Sequence, residues 1–514
     1  MPASLPPAVL PAAVIVLCLV PLFLTPALPS VDFYAHIVRY AALAHPDAPI
    51  VAENYEPHWQ LLPNLGMDVL GTAIMMVLPT MLGAKLLAAI VILAPVAGAM
   101  RLSRAIFGRV DPLNAALTGL LSYNLILFWG FANFLLGLGI ALWSIGWWID
   151  RRDQPGRQLA GMAGIGVVIL LIHGLVFGLW GLMLGGIELM LAIEARDIRP
   201  KALLRRMLRL ASLAVIPAIL FTQMSTAEAE GGTTAAFRNL AEYAERDALW
   251  LRLWEELLKR IDSVLRVAET TATPWASPWV DRAFGLVLWG LLGLGLLRGI
   301  LGLAPRLWIS AGIAFVLIGL MPPNLFGVGH LDERMPLIFL ALIAAGVMIR
   351  PMVLDRPDTR WLRGGLIALF PLHLLLSCWG LSQTGREYRT FLEAVRGMDT
   401  GETAVAAFID GTYQRDAGLF CKPLLFLLQI EKGTAVPTFA NPTQQPFRLT
   451  GPLREAARAS GRVPRDMPRD AQLIRLSTAG FDTIVACDSS PEPARIEGLH
   501  VAAKGADWTL YRRQ

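Results

Sequence analysis

Residues 8–40 read AVLPAAVIVLCLVPLFLTPALPSVDFYAHIVRY, an uncharged apolar run of about 22 residues that ends just before Asp32. Such a run predicts a membrane-spanning helix, because only a fully hydrogen-bonded helix crosses hydrocarbon without leaving backbone polar groups unpaired. A secretory signal is the alternative, since the small residues of PALPS resemble a cleavage site. The basic segment of a signal is missing from MPASLPP, so we interpret the run as a helix that stays in the chain.

The composition extends this interpretation to the whole protein. The chain has 514 residues, of which 55% are hydrophobic and only 17% are charged, and its mean hydropathy is +0.53. These values exclude an ordinary soluble enzyme and a disordered chain, and four cysteines are too few for a disulfide-rich secreted scaffold. The net charge of +5 reflects the Lys and Arg of cytoplasmic loops, so we expect no nucleic-acid partner. The predicted fold class is a polytopic α-helical membrane protein.

About eleven apolar runs are long enough to be transmembrane helices. They lie at 8–29, 82–100, 113–130, 131–149, 159–173, 174–193, 207–223, 282–300, 307–321, 335–349 and 361–381. A further run at 65–79 is either a twelfth span or a re-entrant or surface-lying segment. The second choice places the Arg-rich connections in the cytoplasm, as the positive-inside rule requires. It predicts a cytoplasmic amino terminus and an extracytoplasmic carboxyl-terminal tail in a bacterial inner membrane.

The spans define two domains, a membrane domain at 1–382 and a small soluble α/β domain at 383–514. The membrane domain has two large external loops, 30–81 and 224–281, and the second contains an amphipathic helix at 241–267 that is suited to the bilayer surface. In the tail we predict helices at 388–398, 452–460 and 471–478, and strands at 404–409, 482–487, 499–502 and 508–511. An extracytoplasmic tail would allow Cys421 and Cys487 to form a disulfide.

Several signatures of soluble enzyme chemistry are missing from the sequence. It has no Walker A motif, no GxGxxG opening a βαβ unit, no HExxH, no CxxC and no GxSxG. The sequence therefore gives no support to nucleotide-driven pumping, nicotinamide chemistry, zinc proteolysis or α/β-hydrolase chemistry.

The polar residues after the first span are the best candidates for a catalytic site. Asp32 and His36 are four residues apart and share one helix face, with Arg39 a further turn along. A carboxylate at the membrane boundary can accept a proton from an attacking hydroxyl, and partial desolvation raises its pKa toward that role. The alternative is purely structural, because an acidic residue also suits the first turn of a helix.

The first loop also contains three of the seven histidines, His36, His45 and His58. Together with Asp32 or Glu56 they offer ligands suited to several divalent ions. Single histidines in polar loops more commonly serve as hydrogen-bond partners, so a metal is left open and no other cofactor is indicated.

A second group of polar residues lies in PPNLFGVGHLDERMPL at 322–337, between two spans. Arg334 and His330 could bind an anionic phosphate, since guanidinium matches phosphate oxygens. The alternative is a turn that only ends two helices. His173, at the junction of two spans, could face the same cavity.

The sequences VDFYAHIVRY at 31–40, YEPHWQLLPNLGMDVL at 55–70 and RLSRAIFGR at 101–109 carry a resemblance to a known family. With the span pattern and the external tail, they resemble the GT-C superfamily of polyprenol-dependent glycosyltransferases. The resemblance implies that Asp32 is the catalytic acidic residue and that Arg334 and His330 contact the carrier phosphate. His36, Arg39, Glu56, His58 and His173 become candidates for the substrate site. The paired acidic motif and the double proline common in that superfamily are absent here, since Phe33 follows Asp32 and Pro57 stands alone.

The resemblance implies an inverting membrane glycosyltransferase with Asp32 as general base. Its partners would be a polyprenyl-phosphate-linked sugar, an extracytoplasmic lipid, glycan or protein acceptor, and the membrane lipids. Two alternatives from other classes stay open: a secondary transporter or flippase, and a non-enzymatic subunit of an envelope polysaccharide assembly system.

Overall fold

The computed structural model of the chain describes most of both predicted domains. The described residues are 9–224, 249–270, 278–325, 328–399, 401–408, 415–438, 445–461, 467–487 and 492–514.

The first half of the chain is almost entirely helical. Its elements are α1 (Val9–Leu19, continued by a 3-10 helix at Val20–Leu24), α2 (Phe33–Ala44), α3 (Pro49–Asn54), β1 (Tyr55–Pro57), α4 (Leu65–Met75), α5 (Thr80–Phe107), α6 (Pro112–Gly119), α7 (Leu125–Trp129), α8 (Ala132–Asp150), α9 (Pro155–Ile172), α10 (Gly174–Glu194), α11 (Pro200–Ser212) and α12 (Val215–Gln223).

The second half completes the helical bundle and then builds a small sheet. It comprises α13 (Leu249–Leu265), α14 (Pro278–Leu297), β2 (Leu301–Leu303), α15 (Trp308–Leu320), β3 (Asn324–Leu325), β4 (Val328–Gly329), α16 (Leu331–Gly346), β5 (Val347–Ile349), α17 (Pro357–Arg396), β6 (Ala404–Phe408), α18 (Arg415–Lys432), β7 (Phe447–Leu449), α19 (Gly451–Ser460), α20 (Arg469–Thr478), β8 (Thr483–Cys487), β9 (Leu499–Lys504) and β10 (Trp508–Arg513).

The predicted fold class, a polytopic helical membrane protein with a C-terminal α/β domain, is confirmed. Six of the described helices are long and apolar enough to cross a membrane, namely α5, α8, α9, α10, α14 and α17. Three shorter apolar helical segments, Val9–Leu24, Leu65–Met75 and Pro305–Leu320, accompany them. The described helices do not establish the predicted number of about eleven spans.

The single helix predicted over 113–130 is wrong, because the chain breaks between α6 and α7. Asn124 has an extended backbone, and its side-chain oxygen accepts hydrogen bonds from the backbone N–H groups of Ile126 and Leu127. Asparagine in this position starts a new helix by satisfying donors that would otherwise be unpaired. The break leaves backbone carbonyls at the end of α7 available to another segment.

The amphipathic helix predicted over 241–267 is present as α13. Trp254 is 58% exposed on its surface, as expected of an interfacial anchor. Residues 241–248 lie outside the described part of the chain.

The tail contains a four-stranded sheet in the order β6-β8-β10-β9. Strand β6 pairs with β8 in parallel, and the other two pairings are antiparallel. All four strands were predicted to within a few residues, and so were α19 and α20. The tail also contains α18, which the sequence analysis did not predict, and this helix packs against both α2 and α17.

Two features join the tail to the rest of the chain. Helix α17 runs without interruption across the predicted domain boundary at 382, and β1 in the first loop pairs antiparallel with β7 in the tail. The Tyr55 hydroxyl adds to this contact by donating to Val436 O at 2.8 Å and accepting from Val436 N at 2.9 Å. The tail is thus docked directly on the first loop.

Cys421 on α18 and Cys487 at the end of β8 form a disulfide, with their Cα atoms 5.7 Å apart. The bond closes a loop of 66 residues and fixes α18 to the sheet. The free cysteines among the described residues are Cys18 and Cys378.

We predict that Cys487→Ser lowers the thermal unfolding temperature of the purified full chain. Opening a loop of 66 residues costs about 4 kcal/mol in the chain-entropy description of a disulfide. Unfolding is followed by intrinsic fluorescence, and Cys378→Ser serves as the control because Cys378 is a free cysteine. An unchanged unfolding temperature for Cys487→Ser would show that the disulfide does not stabilise the fold.

Candidate active site

The candidate site begins where the chain leaves the first apolar segment and turns into α2. The backbone N–H groups at this turn precede α2 and have no acceptor within that helix. The N–H groups of Val31 and Asp32 instead donate to the carbonyls of Phe128 and Trp129 at 2.9 and 3.2 Å. The Ser30 hydroxyl donates to Leu127 O at 3.2 Å. The broken helix α7 therefore fixes the backbone position of Asp32.

Gly130 is required at this contact for two independent reasons. Its φ is +87°, a backbone conformation that favours glycine. A Cβ atom on Gly130 would lie only 2.5 Å from Phe33 N and 2.8 Å from Asp32 N. Any larger residue would push the two segments apart.

The carboxylate of Asp32 is paired with a residue of the tail. Lys422 Nζ on α18 donates to Asp32 Oδ1 at 2.6 Å, and the side chains are 21% and 19% exposed. The pair therefore remains accessible from outside the protein. A contact between residues so distant in sequence means that the tail contributes directly to the site.

His36 and Arg39 continue along α2 from Asp32, in different surroundings. Burial, together with the positive charges of Arg39 and Lys422, lowers the pKa of His36, so its imidazole is neutral at neutral pH. Arg39 donates to Asp68 Oδ1 at 2.7 Å in a pair whose side chains are only 2% and 4% exposed. This buried ion pair holds α2 against α4.

Trp129 connects Asp32 to the start of α16. Its carbonyl accepts from the Asp32 N–H, and its side chain contacts Glu333. The indole N–H of Trp129 donates to Glu333 Oε2 at 2.6 Å, and its ring lies 4.2 Å from that of His330. His330 Nδ1 is 3.1 Å from Glu333 Oε1, and His330 has the unusual φ of +56°. Lys259 on α13 forms an ion pair with Asp332 at 3.1 Å. Three separate segments therefore meet at the beginning of α16.

Arg334 is buried in the first turn of α16. It contacts His173 Nε2 at 2.9 Å through Nη1 and donates to Gly329 O at 3.0 Å through Nη2. Its guanidinium lies 4.2 Å from the centre of the Phe131 ring. Among the described residues, its Nε has no hydrogen-bond partner, and Arg334 is within electrostatic reach of Asp32. Arg334 thus keeps one donor for an additional acceptor.

The contacts described for Glu56 and His58 are with the tail. Glu56 is aligned with Arg448 in the β1–β7 pair, and His58 Nε2 lies 2.9 Å from Arg448 Nη2. His45 contacts the carbonyl of Met75 at 3.1 Å. Within the described ranges, no group of three or more His, Cys, Asp or Glu residues is arranged to hold a metal ion.

The structure therefore brings Asp32, His36, His330, Arg334 and His173 into one region through the contacts above. Sequence reasoning missed Lys422, because it lies in a segment that was not predicted to be helical. The signal that could have found it is a lone Lys within the apolar run GLFCKPLLFLL at 418–428. A cation in such a run needs a partner, and that requirement points to an acidic residue elsewhere.

We predict that Gly130→Ala destabilises the protein more than Gly108→Ala does. Both glycines have positive φ, +87° and +75°, but a Cβ on Gly108 would meet nothing within 4 Å. The backbone strain of roughly 1 kcal/mol is common to both variants, and only Gly130→Ala adds the clash with Asp32 and Phe33. Thermal unfolding of the two purified variants measures the difference, and equal unfolding temperatures would contradict the proposed role of the close contact.

No protein-family model matches the chain, and no curated protein matches it. The chain is similar to two solved structures of ArnT from Cupriavidus metallidurans, one in the apo state and one bound to undecaprenyl phosphate. In each case the identity is 15%, the TM-score is 0.49, and the alignment covers 98% of this chain and 97% of the other.

Proposed function

We propose that the protein is a membrane glycosyltransferase. It would move a sugar from a polyprenyl-phosphate-type donor to a lipid, glycan or protein acceptor on the side of the membrane that holds the tail. The proposal is supported by the sequence resemblance to the GT-C superfamily and by the arrangement of charges around Asp32.

One observation carries the proposal: a partly exposed carboxylate interacts electrostatically with cations from two distant parts of the chain. Asp32 forms an ion pair with Lys422 from the tail and is within electrostatic reach of Arg334 from α16. A reaction that removes a proton from a hydroxyl and releases a phosphate needs one base and positive charge beside it. The charges of the site match this requirement.

The reaction would proceed by a single displacement at the anomeric carbon. The acceptor oxygen forms a bond to this carbon while the bond from the carbon to the phosphate oxygen breaks. The carrier phosphate leaves with the electron pair, and Asp32 takes the proton of the acceptor hydroxyl. Attack opposite to the leaving group inverts the configuration of the sugar.

Arg334 would stabilise the departing phosphate. Its position is fixed by His173, by the carbonyl of Gly329 and by the ring of Phe131. A guanidinium held in this way loses little conformational freedom when an anion binds. Trp129, between Asp32 and Glu333, would keep the two halves of the site in register.

The proposal predicts that Asp32→Asn abolishes sugar transfer by the purified full chain. Loss of a general base reduces a rate by about 100-fold to 10,000-fold. The measurement is transfer of labelled sugar from a panel of polyprenyl-phosphate donors to extracted envelope lipids and glycans. Asp47→Asn is the matched control, because Asp47 lies on the exposed surface of the same loop.

The outcomes separate the classes of function. A wild-type rate that Asp47→Asn preserves and Asp32→Asn removes supports the transferase. Equal rates in all three proteins would exclude Asp32 as the base. Absence of transfer from every donor favours the other two classes, a secondary transporter or a non-enzymatic assembly subunit.

A further inference from the structure

The ion pair between Asp32 and Lys422 conflicts with the role of Asp32 as a base. Lys422 Nζ donates to Asp32 Oδ1 at 2.6 Å, so the ammonium occupies a carboxylate oxygen to which the acceptor hydroxyl would deliver its proton. For Asp32 Oδ1 to take a proton from the acceptor, Lys422 has to leave this oxygen. An incoming group that attracts an ammonium more strongly would have this effect.

The two ion pairs of α2, Arg39–Asp68 and Asp32–Lys422, differ in their exposure to solvent, and only an exposed pair can exchange a partner for an incoming ligand. Arg39 and Asp68 are almost completely buried, so no solute can reach them. Lys422 and Asp32 are each about one fifth exposed, and their side chains come from segments 390 residues apart in the chain. Lysine has a flexible four-carbon stem and a compact charge, so its ammonium can move by several ångströms without moving the backbone.

The backbone around Lys422, in contrast, is held firmly. The preceding residue, Cys421, is bonded to Cys487 at the end of β8. Thr438, after α18, donates to the carbonyl of Ala35 in α2 at 2.7 Å. Helix α18 is thus fixed on the sheet at one side and on α2 at the other, so a displacement of the ammonium has to come from rotation of the Lys422 side chain.

We propose that Lys422 is a phosphate-dependent latch on Asp32. Without donor it neutralises Asp32; when the donor enters, its ammonium moves to the phosphate and leaves the carboxylate available as the base. This inference rests on the proposed glycosyltransferase function and adds a residue of the tail to it. The ligand class is a polyprenyl phosphate, held between Lys422 and Arg334.

The latch coordinates the two halves of the reaction. Asp32 becomes a competent base only when a phosphate is present to act as leaving group. Two positive charges then face the phosphate, which carries negative charge in the donor and gains more as it departs. The site does not deprotonate an acceptor or water in the absence of donor.

The decisive experiment is a double-mutant cycle on binding of undecaprenyl phosphate to the purified full chain. The latch predicts that Asp32→Asn binds this lipid about five-fold more tightly than the wild type, because Lys422 no longer has to leave the charged carboxylate of Asp32. Lys422→Met is expected to bind it about ten-fold more weakly. In the double variant the gain from Asp32→Asn disappears, because the gain depends on Lys422.

Three controls accompany the cycle. Lys432→Met removes the lysine at the C-terminal end of the same helix, where its ammonium donates to the backbone carbonyl of Arg396, and the affinity of this variant should equal that of the wild type. Lys422→Gln repeats the cycle with a neutral residue that can still hydrogen-bond to Asp32, in case Lys422→Met does not fold. Undecaprenol, which lacks the phosphate, should bind equally to all variants.

The results distinguish failure of the latch from failure of the proposed function. If the gain from Asp32→Asn persists in the Lys422→Met background, it arises only from removing a negative charge near the phosphate, and the latch is wrong. The same holds if Asp32→Asn shows no gain. If the wild type binds undecaprenyl phosphate no better than undecaprenol, the donor class itself is wrong and the latch fails with it.

Discussion

The organisation of the site depends on the need to satisfy two backbone N–H groups where the chain leaves its first apolar segment. Val31 and Asp32 find their acceptors in carbonyls at the end of a short, interrupted helix. A buried donor without a partner costs about 1–3 kcal/mol, so the interruption and the turn stabilise each other. The same short helix carries Trp129, which links the turn to Glu333 on α16. The two backbone hydrogen bonds and the Trp129–Glu333 contact together hold Asp32 in the same region as the start of α16.

Much of the architecture could be predicted from local patterns in the sequence. The tail strands follow from short runs of β-branched and apolar residues between turn signals, and α19 and α20 follow from apolar residues at helical spacing. The interrupted span at 113–130 escaped prediction, because its composition is uniformly apolar and only the capping role of Asn124 reveals the break. Helix α18 escaped because Pro423 lies inside an apolar run, a position that usually ends a helix.

Only the part of the candidate site that follows from local sequence patterns could be predicted. Asp32 and Arg334 each stand beside the end of an apolar run, so their positions at the membrane boundary follow from the local pattern. Lys422 is separated from Asp32 by 390 residues, and a contact of that kind depends on how the tail docks. The docking uses β1 and β7, whose three-residue lengths give almost no periodic signal. Side chains of the first loop at this pairing, such as His58, have partners in the tail.

Helix α17 has a geometric consequence for how the length of this protein can change. Its 40 residues form one continuous helix, about 60 Å long at 1.5 Å per residue, that leaves the bundle and enters the tail. Each residue added to a continuous helix rotates the part of the chain after the insertion by about 100° and shifts it by about 1.5 Å along the helix axis. A single insertion near residue 383 would therefore rotate β7 and α18 away from the first loop together. A docked tail therefore tolerates insertions and deletions in the loops that follow Arg396 but not within α17. The helical repeat fixes the number of residues that α17 can contain.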